Sequence, residues 1–297
     1  MQLVKTDKGY ISGTIIGEPG KEVSVFRGIP YAAPPVGDLR WRPPQPVASW
    51  AGIRECTRFS AICPQPVSPN MPPGPMNEDC LYLNVVTPAK KANEKLPVMV
   101  WMHGGGYTMG SGNDAIWNSY RLPQKGVVIV TVTQRLNVFG LASHPDLTSE
   151  DPDHASGNYL FLDLIAALKW VQKNIAAFGG DPGNVTIFGE SGGGAKVSMM
   201  MASPLAKGLF HRAICESGTA TAILQDQPLK VMESKGEQLF KAMGVKTLAE
   251  ARRLPWEKVF EANQVVEPPM TPGKPPSFFW GPGTDGRLLP QSPNELF

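Results

Sequence analysis

Short apolar runs recur along the chain and alternate with helical or turn-rich segments. Seven of them predict strands: 11–16, 23–27, 81–86, 98–103, 127–133, 185–189 and 213–216. Three are nearly continuous in apolar residues, which is the pattern of strands covered on both faces. We therefore expect an α/β fold with a mostly parallel central sheet and helices on both of its faces.

The clearest helical periodicity spans 158–177, where apolar side chains recur at the spacing of one helix face: Leu160, Leu164, Ala167, Leu168, Val171 and Ile175. Gly179 and Gly180 end this predicted helix. The segments after Gln227 are also predicted to be helical, with Pro255 separating one helix from the next.

Glycine (31 residues) and proline (30 residues) gather in three stretches, 28–46, 64–75 and 268–286. Apolar side chains that need burial alternate with turn formers there, so we expect long ordered loops. We find no internal repeat. The chain length allows one large α/β unit, and we expect residues 1–297 to form a single domain.

The composition limits the classes of partner that the chain is expected to bind. A net charge of +2 without a Lys/Arg cluster gives no signature of nucleic acid or membrane binding, and no apolar run approaches the ~18 residues of a membrane span. We expect a soluble protein whose partner is a small neutral molecule, with its oligomeric state open. No signal peptide is predicted, so the protein is cytoplasmic or secreted with its signal removed. The four cysteines lack metal-site spacing, and we expect neither metal nor cofactor.

The run 185–189 breaks at Ser191, inside the sequence Gly-Glu-Ser-Gly-Gly. Nucleophilic serines are exposed on such tight strand-to-helix turns, where flanking glycines avoid a clash. About 0.2 matches to this motif are expected by chance in a chain with so many glycines, so the motif alone is weak.

A second motif strengthens it: the predicted strand 98–103 ends in His103-Gly104-Gly105-Gly106, the form of an oxyanion loop. Bare glycines allow several amides to converge on a tetrahedral intermediate. We assign Gly105, Gly106 and Gly192 as the donors. We interpret His103 as a packed residue that orients the loop, rather than as the catalytic base.

With these motifs, the chain resembles type B carboxylesterases of the cholinesterase-like branch of the α/β hydrolases. The similar segments are spread over nearly the whole length: 26–41, 77–84, 103–106, 134–140, 157–159, 178–182 and 208–214. The resemblance implies an α/β-hydrolase fold, Ser191 as nucleophile, the three glycine amides as oxyanion donors and Glu190 as a buried acid behind the nucleophile.

The resemblance further implies two structural ion pairs, Arg40 with Glu78 and Arg135 with Asp163. Cys63 and Cys80 match positions that form a disulfide in many relatives, which leaves a bridge or two free thiols as alternatives. Gly192 replaces the usual alanine, which we expect to loosen the turn. Segment 64–79 lacks an aromatic residue to hold a quaternary ammonium, which argues against choline esters.

These observations predict a serine carboxylesterase that hydrolyses a broad range of short-chain esters through an acyl-serine. The alternatives are an acyltransferase using the same intermediate and a non-catalytic binding or adhesion protein. His211 is the one histidine after Ser191, and we expect it to be structural. In this fold the acid and base follow the serine. We therefore expect them beyond Phe297, the chain being the N-terminal part of a longer esterase that stops before its last strands. The alternative is a short form in which His144 or His154 serves as the base.

Overall fold

The structure is a computed structural model that describes residues 2–67, 74–218, 227–267 and 279–296. These residues form ten strands: β1 (Leu3–Lys5), β2 (Tyr10–Ser12), β3 (Thr14–Ile16), β4 (Val23–Pro30), β5 (Ile53–Glu55), β6 (Tyr82–Thr87), β7 (Leu96–Met102), β8 (Val128–Thr133), β9 (Gly180–Glu190) and β10 (Arg212–Glu216).

The described helices all follow β8: three lie between β8 and β9, one lies between β9 and β10, and the others come after β10. They are α1 (Asn137–Leu141), α2 (Pro145–Glu150), α3 (Tyr159–Asn174), α4 (Gly192–Ala202), α5 (Leu229–Met243), α6 (Leu248–Arg253), α7 (Trp256–Val266) and α8 (Pro293–Leu296). Short 3-10 turns lie at Gly37–Leu39, Pro123–Lys125, Ile175–Phe178 and Pro204–Ala206.

A seven-stranded sheet in the order β10-β9-β7-β8-β6-β4-β3 forms the centre of the molecule. Strands β10, β9, β7 and β8 pair in parallel, whereas β8-β6, β6-β4 and β4-β3 pair antiparallel. The predicted α/β class is confirmed. The sheet is mixed rather than mostly parallel, since parallel pairing is confined to one half of it. At the other end, the short connection 17–22 joins β3 to β4 and permits only an antiparallel hairpin.

Alternation along the central strands separates two apolar clusters. In β4, Phe26 belongs to the main core and Val25 to a smaller cluster, and Val85 and Val86 in β6 divide in the same way. This is the two-residue period of a strand whose faces both pack. The buried side of α3 lies in the main core.

The small sheet β1-β2-β5 packs onto that same main core through Val4 and Ile11. The sequence predicted one strand over 11–16, but the chain breaks at Gly13. A Cβ there would lie 2.4 Å from the carbonyl oxygen of Val25, so the chain passes β4 too closely for a side chain. β1 and β5 were not predicted, because three residues are too short to show a period.

The predicted helix 158–177 is confirmed as α3 and a terminal 3-10 turn, which ends at Gly179 in the left-handed region (φ 82°). The helices after Gln227 are confirmed, with Pro255 preceding α7. Of the predicted loops, 28–46 begins inside β4, and parts of 64–75 and 268–286 lie outside the described residues. None of the described helices has the length and apolar run needed to cross a bilayer.

Candidate active site

Ser191 stands between β9 and α4, with φ 55° and ψ −122°. A non-glycine residue there is strained, and such strain is found where a side chain must be presented at a tight turn. A Cβ on Gly189 would lie 2.5 Å from the Gly193 carbonyl carbon, and one on Gly193 would lie 2.1 Å from the Met102 carbonyl oxygen. The turn therefore closes only with glycine on both sides of the serine.

Parallel pairing of β7 with β9 brings the two motifs together. Met102 lies opposite Gly189, so the glycines that follow β7 lie beside the serine that follows β9. A Cβ on Gly104 would lie 3.7 Å from Ser191 Cβ. Gly105 has φ +85°, and a side chain there would strike the Met109 carbonyl oxygen.

Three backbone amides lie in the two segments that meet at this serine turn. Within the described part of the chain, Gly105 N, Gly106 N and Gly192 N donate no hydrogen bond to a backbone carbonyl outside the regular elements. Gly192 opens α4, where the helix dipole adds partial positive charge. The arrangement can receive an oxyanion.

Gly192 and Gly106 are in closer contact than the sequence suggested. A Cβ on Gly192 would lie 2.4 Å from Gly106 N and 2.5 Å from Gly106 Cα. The expectation that glycine at this position only loosens the turn misses this contact. Here glycine allows the two segments to pack backbone against backbone.

His103 is buried, and both ring nitrogens are engaged. Nδ1 lies 2.8 Å from the Gly104 carbonyl oxygen, and Nε2 lies 2.7 Å from the side-chain nitrogen of Gln134. This pattern assigns the neutral tautomer, with Nδ1–H donating and Nε2 accepting. Burial, with the nearby Lys196, lowers the pKa of His103 well below its usual range. The ring is placed to hold the loop and not to exchange a proton with Ser191.

Sequence reasoning missed Lys196, which lies on α4 with its side chain fully buried. Its Nζ donates a 2.8 Å hydrogen bond to the His103 carbonyl oxygen. Burial lowers the pKa of Lys196 to about 7. A lysine among the apolar residues of Gly192–Ala202 was the available signal, since buried lysines are rare without a partner.

Glu190 was expected to be buried behind the nucleophile, and this is wrong for the described structure: its side chain is exposed. It is the last residue of β9 and lies opposite Glu216 at the end of β10. A Cβ on Gly104 would lie 3.4 Å from Glu190 Oε2, so the carboxylate still adjoins the glycine loop.

The predicted ion pairs are both present and buried. Arg40 Nε and Nη2 donate to the two Glu78 oxygens at 2.7 and 2.6 Å, and Arg40 Nη1 donates to the Ala251 carbonyl at 2.8 Å. This pair therefore joins the segment after β4 to α6. Arg252 Nε returns a hydrogen bond to the Arg40 carbonyl.

Arg135 follows β8, and Asp163 lies on α3. Arg135 Nε and Nη2 donate to the carboxylate at 2.9 and 2.7 Å, and the Arg135 backbone amide adds a third bond at 3.1 Å. Burial alone lowers the pKa of Arg135, but the Asp163 carboxylate outweighs it and the pKa is raised. The pair fixes the helix against the end of the strand.

Cys63 and Cys80 are free thiols, so the disulfide alternative is wrong here. Both are buried, and burial, with the hydrogen bond that the Cys80 thiol donates to Cys63, raises the pKa of Cys80 well above its usual range. Cys63 Sγ also accepts a 3.2 Å hydrogen bond from Leu136 N. The two thiols are adjacent.

The other three histidines make contacts elsewhere in the fold or are exposed. His144 stacks on Phe240 at 3.9 Å between ring centroids and caps α2, and His211 Nδ1 accepts a hydrogen bond from Val185 N. His154 is exposed in the loop after α2. No side chain in the described ranges hydrogen-bonds the Ser191 hydroxyl, and those ranges contain no cluster of three or more metal-binding side chains.

The strained serine beside free amides, at the carboxyl edge of the parallel strands, defines a member of the α/β hydrolases. A family comparison matches residues 1–297 to the carboxylesterase family, and the chain belongs to that family. The resemblance seen in the sequence is thereby confirmed.

Individual relatives of the chain are consistent with this family. The chain is 41% identical to fumonisin B1 esterase of Sphingopyxis macrogoltabida over 94% of this chain and 50% of that protein. It is 40% identical to liver carboxylesterase 1 of Oryctolagus cuniculus over 99% of this chain and 55% of that protein. A Geobacillus stearothermophilus carboxylesterase structure has a TM-score of 0.84 and 36% identity, covering 100% of this chain and 59% of that one. The chain thus spans about half the length of these curated relatives.

Proposed function

We propose that the protein hydrolyses carboxylic esters with Ser191 as nucleophile. The observation that supports this most directly is the juxtaposition of Ser191, held at φ 55°, with the unused amides of Gly105, Gly106 and Gly192. A strained non-glycine residue beside free backbone donors is typical of a site that holds a developing negative charge.

In the proposed reaction, Ser191 Oγ attacks the ester carbonyl carbon and gives its proton to a base. The carbonyl oxygen becomes negative and accepts hydrogen bonds from the three amides, each worth ~3–4 kcal/mol of barrier. Collapse breaks the bond to the alcohol oxygen, which takes the proton from the base. Water then attacks the acyl-serine, gives a proton to the base, and the acid leaves as Ser191 recovers its hydrogen.

We place the base and its acid partner beyond residue 297. The rings of His103, His144 and His211 are occupied by hydrogen bonds or stacking within the fold, and His154 is exposed on a loop. None of these arrangements supports proton transfer with Ser191. His103, Lys196 and Gln134 support the loop rather than the reacting atoms.

The substrates we propose are short-chain esters accepted over a broad range. Segment 64–79 offers no aromatic ring for a quaternary ammonium, which disfavours choline esters. The named relatives include a fumonisin B1 esterase and liver carboxylesterases, so family membership leaves the alcohol open. Residues 1–297 would form one catalytic domain.

Two other functions remain consistent with family membership. An acyltransferase would use the same acyl-serine with an alcohol in place of water, and a binding protein would need no nucleophile. The retained serine and free amides favour an enzyme. Adding methanol to the assay separates transfer from hydrolysis, because transfer yields the methyl ester.

The test is hydrolysis of p-nitrophenyl butyrate by the full-length protein and by Ser191→Ala. We expect the variant to lose roughly 10⁴-fold or more in kcat. Ser149→Ala, at an exposed position of α2, is the matched control and keeps full activity. Undiminished turnover by Ser191→Ala would contradict the proposal.

A further inference from the structure

A cleft lined by several arginines lies apart from Ser191, where β4, β5 and the start of β6 meet. Its volume is about 550 Å³, and its walls include Arg27, Arg54, Arg58, Ser60 and Tyr82. This volume is within the range of sites that hold small organic molecules. Nothing in the proposed ester chemistry uses these residues.

The cleft and the serine lie at one edge of the sheet but on different strands. Pro30 at the end of β4 pairs with Tyr82, and Tyr82 pairs with Thr133 at the end of β8. From β4 the order continues through β6, β8 and β7 to β9. Four strand spacings of about 4.8 Å separate β4 from β9 by roughly 19 Å.

The walls of the cleft are fixed by hydrogen bonds from two asparagines. Asn84 Oδ1 accepts a 2.9 Å bond from Gly28 N, and Asn113 Nδ2 donates a 2.9 Å bond to the Ser60 carbonyl oxygen. Asn84 Nδ2 also lies 3.3 Å from Asn113 Oδ1, which joins the two anchors. The cleft is therefore a built feature of the sheet edge.

Its charges are unbalanced. Three guanidiniums, of Arg27, Arg54 and Arg58, face two carboxylates, of Glu55 and Asp79, which leaves one net positive charge. Among the described residues, no carboxylate forms an ion pair with any of the three guanidiniums. Asp79 contacts the hydroxyl of Tyr82, whose pKa burial and this carboxylate raise to about 12.

Two buried polar atoms in the cleft lack a partner within the described structure: Arg27 Nε and Ser60 Oγ. Burial lowers the pKa of Arg27, whose guanidinium lies 4.8 Å from the centroid of the Phe59 ring. A buried donor without an acceptor destabilises the fold. Both residues line the cleft, so a carboxylate bound there would bring an acceptor close to each of them.

We infer that this cleft binds a small monocarboxylate with an apolar body. One net positive charge matches one carboxylate, whereas a phosphate dianion would leave the cleft negative. The planar pair of oxygens fits the guanidinium fork of an arginine. Tyr82 and Ala61 on the wall provide apolar surface for the body of the ligand.

Isothermal titration of the full-length protein with sodium benzoate tests this, with chloride adjusted to constant ionic strength. The expected result is saturable binding that weakens about tenfold in Arg58→Gln, because a charge-assisted hydrogen bond is lost. Arg58 is exposed, so the substitution spares the core. Ser60→Ala weakens binding by a smaller factor and provides a second variant.

The matched control is Arg253→Gln, which removes an exposed arginine at the end of α6, outside the cleft, and leaves benzoate binding unchanged. Inorganic phosphate at the same ionic strength binds more weakly than benzoate. Absence of saturable benzoate binding, an equal loss in Arg253→Gln, or tighter binding of phosphate would each overturn the inference. The readout is independent of ester hydrolysis.

Discussion

At Ser191, the strained backbone and the close approach of the flanking glycines both present the serine side chain at a tight turn. A positive φ for a non-glycine residue costs of order 1–3 kcal/mol, which the surrounding contacts must offset. Ser191 N donates a 2.8 Å hydrogen bond to the Glu216 carbonyl, and Ala195 N donates to the Ser191 carbonyl at 3.1 Å. The serine is thus fixed from both β10 and α4.

The contact between Gly192 and Gly106 makes Gly192→Ala a demanding substitution. A Cβ at 2.4 Å from Gly106 N forces one backbone segment to move, and we expect a loss of about 1–3 kcal/mol in the free energy of unfolding. The midpoints of denaturant unfolding of wild type and Gly192→Ala measure this loss. Gly74→Ala, whose Cβ would meet Ile62 at ordinary distances, is the control, and an equal effect in both variants would contradict the close contact.

Lys196 predicts a pH-dependent stability. Its pKa is about 7 in the folded protein and near 10.5 when unfolded, so between these values the unfolded chain binds more protons. The free energy of unfolding therefore rises with pH above 7, by up to ~1.4 kcal/mol per pH unit from this group.

Denaturant unfolding of wild type and Lys196→Met at pH 7.0, 7.75 and 8.5 checks this. We expect the slope against pH to be lower in the variant, because the titrating group is gone. Lys207→Met, at an exposed position, keeps the wild-type slope. Identical slopes in wild type and Lys196→Met would show that the buried amine does not titrate in this range.

Sequence motifs located the serine, the glycines and His103, because each has a local signature. The environments of Lys196 and Glu190 could not be predicted in the same way. Burial of Lys196 depends on β7, which lies about ninety positions earlier in the chain. Exposure of Glu190 depends on which parts of the chain cover the carboxyl end of β9.

At the scale of elements, continuous apolar runs predicted the central strands, and β8 is buried at every position. The strands that were missed, β1 and β5, are short and carry exposed apolar residues, with Leu3 49% and Ile53 58% exposed. Their pairing depends on the neighbouring chain rather than on their own pattern.

The ion pair between β8 and α3 predicts a large effect of removing one partner. In Asp163→Asn the Arg135 guanidinium stays buried without its countercharge, and we expect a loss of ~3–5 kcal/mol in the free energy of unfolding. Glu261→Gln breaks an exposed pair with Lys258 and should cost ~0–1 kcal/mol. Equal losses in the two variants would contradict a structural role for the buried pair.

At the scale of the molecule, the small sheet and the large sheet share one core, since Val4 and Ile11 pack in the cluster that contains Val100. We propose that they form one cooperative unit. Native-state hydrogen exchange should show the amides of Ile11 and Val100 losing protection at the same denaturant concentration. Loss of amide protection at Ile11 at a much lower denaturant concentration than at Val100 would instead indicate that the small sheet unfolds separately.

The central claim is that Ser191 is the nucleophile, and covalent trapping tests it most directly. The full-length protein is incubated with diethyl p-nitrophenyl phosphate, and the modified peptide is located by mass spectrometry. The account predicts one diethylphosphoryl group on Ser191, one equivalent of p-nitrophenol, and no labelling of Ser191→Ala. A label on another residue, or ester hydrolysis that continues in the fully labelled wild-type protein, would contradict it.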